Sequence, residues 1–347
     1  MKILKYLFFL LLIVFIAGAI YFATKDGHYE VEESLVIEAP VEVVFKKVND
    51  YRTWEDWGPW KQEDPTMVFN YPENTSGEGA NYSWNGKDSD GSMLTTEVIE
   101  NSIINQEITF DTPAGERKAT VYWIFTPVEN GTKVTWGLRG EHTITDKAYF
   151  TLTGYDFDQE MHTMYQSGLE GLSASVKRDM EVYSIKVDGI TQYSGGFYMY
   201  TTAATTREAI TSKIEQLLKK VQLYMEGNEI TIVGKPMTIY NEWDEANGNA
   251  IISCGFPTTT RIIVPNDSEV LSGFIPAQTV LKTTLKGNYS NLYEAWGQTE
   301  DYLSDNNYEA SETSPQFEIY ITDPKMQPNP ANWVTELYQP IKTEEIE

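Results

Sequence analysis

"VDGITQYSGGFYMYTTAATTREAITSKIEQLLKKV", residues 187–221, returns in altered form as "LSGFIPAQTVLKTTLKGNYSNLYEAWGQTEDYL", residues 271–303. Gly189 answers to Gly273, and each copy then reads as a strand followed by a helix. In the first helix Ile210, Ile214, Leu217 and Val221 recur at spacings of three and four, the mark of one buried stripe. Thr205 and Glu208 ahead of it have capping-box spacing. In the second helix Leu292, Trp296, Thr299 and Leu303 form the corresponding stripe. Each copy then ends in two strand-like segments, "KPMTIYNEW" with "AIISCGFPTT" and "SPQFEIYITDP" with "WVTELYQPIK". Self-similarity of this kind decides an architecture: residues 183–343 read as one domain made of two β-α-β-β units.

The two copies differ at one suggestive place. Aligning Pro257 with Pro340 sets Ser253 opposite Glu336. Strand side chains alternate between faces, so Trp333, Thr335 and Leu337 share one face, and Val334, Glu336 and Tyr338 the other. A carboxylate between a valine and a tyrosine is costly if buried without a partner. Either this is an edge strand whose Glu336 faces water, or Glu336 waits for a positively charged guest. A carboxylate needed by the fold is expected in both copies, and its absence from the first weighs toward a site. Both readings stay open.

The stretch resembles the GyrI-like, or AraC-type effector-binding, domain. The residues that carry the resemblance are "KGNYSNLYEAWGQTEDYL", "PQFEIYITDP" and "WVTELYQPI". The resemblance implies a duplicated unit enclosing a central cleft that takes small molecules, often hydrophobic cations, against aromatics and a buried glutamate. Glu336 matches that glutamate, with Tyr338, Tyr320, Trp296, Tyr198 and Tyr200 as aromatic candidates for the cleft. It also implies an alternative, hydrolysis of small electrophilic compounds by Glu336 and the Tyr338 hydroxyl. Such domains often follow a DNA-binding helix-turn-helix; here an apolar helix and a second domain stand ahead instead, so a transcription regulator is not expected.

That preceding region, residues 29–182, reads as strand, short helix, antiparallel strands and a long final helix. Pro40 opens the short helix, where its missing N–H does no harm. Glu129-Asn130-Gly131-Thr132 signals a hairpin. In the final helix Phe157, Met161, Met164, Gly168, Leu172 and Val176 mark one apolar face. Gly168 and Gly171 inside it leave space, either for close packing or for a guest. The region resembles the START-like, polyketide-cyclase (SRPBCC) superfamily through "LVIEAPVEVVFKKVNDYRTWEDWGPW", "GEGANYSWNG" and "MYQSGLEGLSASVKRDME". That resemblance implies a helix-grip fold with a lipophilic cavity, for which Trp84, Trp136, Met161, Met164 and Tyr165 are the candidate walls. The plain alternative is that these residues are core.

Tyr6 to Ala23 is uncharged, about the minimum length for a membrane-spanning helix. "AGA" at 17–19 offers a signal-peptide cleavage site, but the apolar run continues through Ala23 and favours a retained anchor, residues 1–25. Lys2 and Lys5 then place the amino end in the cytoplasm and the soluble domains outside it. The net charge of −25 argues against a nucleic-acid partner. His142 and His162 are isolated from further ligands at metal-binding spacing, and no cofactor or metal is expected. The expectation is an α+β protein of three segments: anchor, helix-grip domain and effector-binding domain. It should bind small molecules at a membrane, with a hydrolase or a ligand-free scaffold as alternatives.

Overall fold

The computed structural model describes residues 2–87, 90–112, 115–244 and 247–342. The acidic "TEEIE" at 343–347 lies outside them. The uncharged run near the amino end forms helix α1 (Lys2–Thr24), and Ile3–Thr24 is by length and composition sufficient to cross a membrane. The chain divides into two units, Met1–Asp179 and Met180–Glu347.

In the first unit α1 is followed by β1 (His28–Ile37), α2 (Val41–Asn49), α3 (Trp60–Glu63), β2 (Val68–Asn70) and β3 (Asn81–Asn85). Then come β4 (Asp90–Ile99), β5 (Ile103–Thr112), β6 (Gly115–Val128), β7 (Gly131–Glu141), α4 (Ile144–Thr153) and α5 (Phe157–Glu181). The strands form one antiparallel sheet in the order β1-β7-β6-β5-β4-β3-β2. Val128 pairs with Gly131, leaving Glu129 and Asn130 as the two-residue turn. Pro40 sits one position ahead of α2, as its N-cap.

The apolar stripe of α5 buries Tyr165, Leu169, Leu172 and Val176. Beneath it lies an aromatic core. Trp136 stacks between Trp123 (ring centroids 4.4 Å apart) and Tyr165 (4.2 Å). Trp54 stacks on Trp60 at 5.5 Å, meets Trp57, Tyr51 and Tyr82, and donates from Nε1 to the Val48 carbonyl at 2.7 Å. Some interior polar groups are engaged, Trp123 Nε1 donating to Gln106 and Gln106 to the Tyr51 hydroxyl, while the indole N–H groups of Trp57 and Trp136 are buried without a hydrogen-bond partner among the described residues. Trp84, Trp136 and Tyr165, the expected cavity walls, are buried in this aromatic core, while Met161 and Met164 are half-buried on α5. The helix glycines explain how the rings come so close. A Cβ on Gly168 would stand 2.5 Å from the Trp136 ring, and one on Gly171 would overlap the Trp57 carbonyl. The space these glycines leave is filled by tryptophan.

The second unit is built from β8 (Ser184–Tyr193), β9 (Gly196–Thr206), α6 (Ile210–Gly227), β10 (Met237–Asp244) and β11 (Asn249–Thr258). The second copy repeats them as β12 (Leu271–Ile275), β13 (Gln278–Lys286), α7 (Leu292–Asp305), β14 (Phe317–Tyr320) and β15 (Val334–Pro340). One antiparallel sheet runs β12-β9-β11-β10-β14-β15-β13-β8. Two features follow from that order. The copies meet at β10 and β14, where Thr238 pairs with Glu318. Each copy also lends its first strand to the other: β8 flanks β13, and β12 flanks β9. Both helices lie on one face, α6 over β9 and β11, and α7 over β13, β8 and β15. The expected capping box does not form. Thr205 remains in β9, and α6 starts at Ile210 after Ala209, because the strand runs further than the helix signal suggested.

Candidate ligand-binding cleft

Between α6 and α7, over the central strands, the sheet carries a cleft of about 1680 Å³. That exceeds the size usual for a small-molecule site, roughly 300–1,000 Å³. Its walls include Ile210, Ile214 and Leu218 from α6, with Leu292, Tyr293 and Trp296 from α7. Its floor is formed by Tyr240 of β10 and by Glu318 and Tyr320 of β14. Seven acidic residues line it (Glu215, Glu226, Glu294, Glu300, Asp301, Glu318, Asp323) against four basic ones (Arg207, Lys219, Lys235, Lys325). The excess of carboxylates favours a cationic occupant.

Glu318 is the centre of this arrangement. It is 0 % exposed, and three aromatic donors hold it. Tyr240 OH donates to Oε1 at 2.9 Å, Trp296 Nε1 donates to the same oxygen at 2.8 Å, and Tyr320 OH donates to Oε2 at 2.8 Å. Tyr320 has one hydroxyl proton. Since that proton serves Glu318, the 3.0 Å contact with Thr238 Oγ1 is one that Tyr320 accepts. Cys254 Sγ lies 3.5 Å behind Thr238 Oγ1, so a buried polar chain runs inward from the carboxylate. Burial drives the Glu318 carboxyl above its ordinary range, and the Trp296, Tyr320 and Tyr240 bonds recover only part of that cost. Burial, followed by the nearby Glu318 charge, pushes the Tyr240 and Tyr320 hydroxyls up as well. Among the described residues no Lys, Arg or His forms an ion pair with Glu318. The carboxylate lies beneath Trp296 and Tyr240, both half-buried and both hydrogen-bonded to it.

Trp296 and Tyr320, expected in the cleft, are there; Glu336, Tyr338, Tyr198 and Tyr200 are not among its lining. Strand parity is the reason. Leu337 packs with Ala295 and Trp296 under α7, so its neighbours Glu336 and Tyr338 point to the sheet's other face. There Tyr338 packs with Met237, Ile239 and Phe317, and Tyr198 joins the same cluster. On β9 Met199 faces α6, which sends Tyr198 and Tyr200 away from it. Glu336 already has its positive partner. Lys282 Nζ donates to Oε1 at 2.7 Å and Tyr338 OH to Oε2 at 2.6 Å, with the two charged side chains 26 % and 21 % exposed. Burial and the Glu336 charge push the Tyr338 hydroxyl up. Replacing Glu336 by Gln should therefore lower stability by about 1 kcal/mol, because Lys282 loses its counter-charge in a half-buried place. The same change should leave affinity in the cleft within about twofold of wild type, as expected for a residue on the opposite face. Chemical denaturation with parallel calorimetry of cation binding reads both; a tenfold loss of affinity would return Glu336 to the site.

Sequence reasoning missed Glu318 and Tyr240, although a signal was present. "MTIY" at 237–240 and "FEIY" at 317–320 align without gaps, placing Tyr240 against Tyr320 and Thr238 against Glu318. The asymmetry that matters falls at the seam between the copies, one strand earlier than Glu336.

Residues 197–342 match the family model described as GyrI-like small molecule binding domain. Residues 28–177 match that described as polyketide cyclase / dehydrase and lipid transport. No curated protein matches the chain. Among solved structures, the chain is similar to the EcmrR C-terminal domain at 19% identity, covering 46% of this chain and 98% of that one, TM-score 0.38. It is similar to protein CV1439 of Chromobacterium violaceum at 16% identity, covering 43% and 96%, TM-score 0.34. Protein SA2116 of Staphylococcus aureus, described as of unknown function, is 13% identical, with 44% and 96% covered and a TM-score of 0.34. The first description names small-molecule binding and the second lipid transport, which together support a small-molecule ligand. The chain carries a polyketide-cyclase-like domain followed by a GyrI-like domain.

Proposed function

We propose that the GyrI-like domain binds a hydrophobic cation in the cleft above Glu318, on a chain held at a membrane by α1. One observation carries the binding reading: a fully buried carboxylate under an aromatic floor, with three neutral donors and no ion-pair partner among the described residues. A cation supplies the missing charge, and the ring faces of Tyr240, Trp296 and Tyr320 add roughly 0.5–2 kcal/mol per contact. The burial of Trp84, Trp136 and Tyr165 in the aromatic core of the first domain supports the second domain's cleft as the ligand site. Titration calorimetry with tetraphenylphosphonium, tetraphenylborate and triphenylphosphine oxide tests the charge preference. The expected order is cation, then neutral molecule, then anion; equal binding of all three would end the reading. A hydrolytic role would use Glu318 with Tyr320, but the Tyr320 hydroxyl proton is already committed to the carboxylate, which favours binding.

The anchor reading rests on the uncharged stretch of α1 and on the lysines at its start, with the amino end in the cytoplasm. Full-length protein should remain with membranes after a high-salt wash, and protease added from the cytoplasmic side should leave both soluble domains intact. Mature chains beginning near Ile20 would show a cleaved signal peptide. We further propose that residues 29–182 and 183–343 fold independently, so each fragment should unfold cooperatively.

A further inference from the structure

Helix α4 buries none of its residues completely. Four large apolar side chains in and just after it are exposed: Ile144 (47 %), Tyr149 (57 %), Leu152 (81 %) and Tyr155 (42 %). Ile144, Ala148 and Leu152 recur every fourth residue, Tyr149 stands three before Leu152, and the Tyr155 ring, just past the helix end, lies 6.2 Å from that of Tyr149, so these form one patch. From Ala148 to Thr153 the helix has no charge. Its two charged side chains, both in the first turn, are engaged. Asp146 closes a capping box with Thr143 and lies 3.7 Å from Arg117, while Lys147 Nζ donates to the Lys25 carbonyl at 2.7 Å.

The position of α4 says what covers this patch. It packs against α1. The segment leaving α1 is tied to the segment entering α4: His142 N–H donates to the Gly27 carbonyl at 2.8 Å, and Tyr29 stacks on His142 at 4.2 Å. The partly covered residues of α1 are Gly18, Ala19 and Phe22, all within its apolar stretch and on one side of its last turns. An element packed beside those turns lies at the depth where α1 leaves the bilayer. Tyr21 is there too, with the Lys25 ammonium 4.8 Å from its ring. Tyrosines and a snorkelling lysine at that level are the usual furniture of the membrane–water boundary.

We propose that α4 is an interfacial helix, lying against the lipid surface with Tyr149, Leu152 and Tyr155 among the headgroups and upper acyl chains. The proposal rests on α1 being a membrane anchor and adds a second contact. One helix end fixes a point, and a second helix beside it fixes the orientation of the first domain on the bilayer.

The full-length chain reconstituted in phosphatidylcholine vesicles tests this. Its one cysteine, Cys254, is 0 % exposed, and burial pushes its thiol up to about 12, so an introduced surface cysteine labels selectively. An environment-sensitive fluorophore is placed in turn at L152C, at I20C in α1, and at E100C, which is exposed in the β4–β5 turn. Vesicles with lipids brominated near the headgroup end of the acyl chain should quench L152C to at least about half the extent of I20C, and E100C hardly at all. Quenching at I20C with L152C as unaffected as E100C would overturn the interfacial helix and keep the anchor. Absence of quenching at I20C would overturn both.

Discussion

Replacing Glu318 by Gln is expected to raise the stability of the unliganded protein and to weaken tetraphenylphosphonium binding by about 2–5 kcal/mol, the range for losing one partner of a desolvated charge pair. The shape of the site tolerates the change. The amide oxygen can still accept from Tyr240 and Trp296, and its NH₂ can donate to the Tyr320 oxygen, whose proton then turns to Thr238 Oγ1. What disappears is a negative charge with no water around it. The sign of the pH dependence follows from the direction of the shift. The Glu318 carboxyl is raised in the folded chain, so between the ordinary carboxylate range and that raised value the folded state keeps a proton that the unfolded state releases. Stability from this group is therefore lost as pH rises through that window and is not regained above it. The advantage of E318Q over wild type should be smaller near pH 4 than at pH 8, where the unfolded wild-type carboxyl has released the proton that burial favours keeping. Thermal melts at the two pH values, with and without cation, check both halves. A destabilised E318Q that binds tetraphenylphosphonium like wild type would show the glutamate to be structural.

Trp54→Ala is expected to cost about 3–5 kcal/mol, the scale for truncating a fully buried large aromatic. Trp54 is 2 % exposed and touches the rings of Tyr51, Trp57, Trp60, Tyr82, Trp123 and Trp136. Its loss also strips the Val48 carbonyl of its indole donor. The complementary change, Gly168→Ala, adds a methyl where the Trp136 ring already stands and should cost about 1–3 kcal/mol through overpacking. Denaturant unfolding of the full chain, followed by tryptophan emission, reports on the first domain, which holds most of the tryptophans. A loss below about 1 kcal/mol for W54A would mean that the ring cluster is loose enough to close over the gap, as an open cavity would be.

The internal repeat made the second fold readable, because two helical stripes and four strand segments recur in order. The seam between the copies was not readable that way: β8 and β12 trade places through pairings between residues about 70 to 100 positions apart, and no local pattern records which edge a strand joins. The site was half legible. Trp296 and Tyr320 carry an aromatic ring on the helix face of their elements, and the parity of β15 was read correctly from Leu337. What failed was the choice of which face of the sheet is the cleft, since alternation separates two faces without saying which one a helix will cover. Glu336 was unusual for its strand, but Lys282 on the neighbouring strand, 54 positions earlier, answers it. In the first domain the glycines of α5 signalled space without saying whether close packing or a guest would use it. α4 escaped notice because nothing on it is fully buried, and Ile144, Ala148 and Leu152 are too short a run at fourth positions to stand out from a loop.

The exchanged strands have a consequence for how this chain can be divided. A cut between Thr258 and Leu271 would give two pieces of one β-α-β-β copy each, but each piece would carry an edge strand that belongs to its sibling's half of the sheet. Neither could close its own ladder, and the two should find each other by fragment complementation. Two identical copies of either piece could satisfy the same pairings by reciprocal swapping, so a gene for one copy describes a homodimer. Joining two such genes would have fixed that dimer in a single polypeptide and freed its two-fold axis to carry different residues on either side. Thr238 and Glu318 face each other across that axis. A lone carboxylate there is something a homodimer of identical copies could not have evolved, because it would always have carried two.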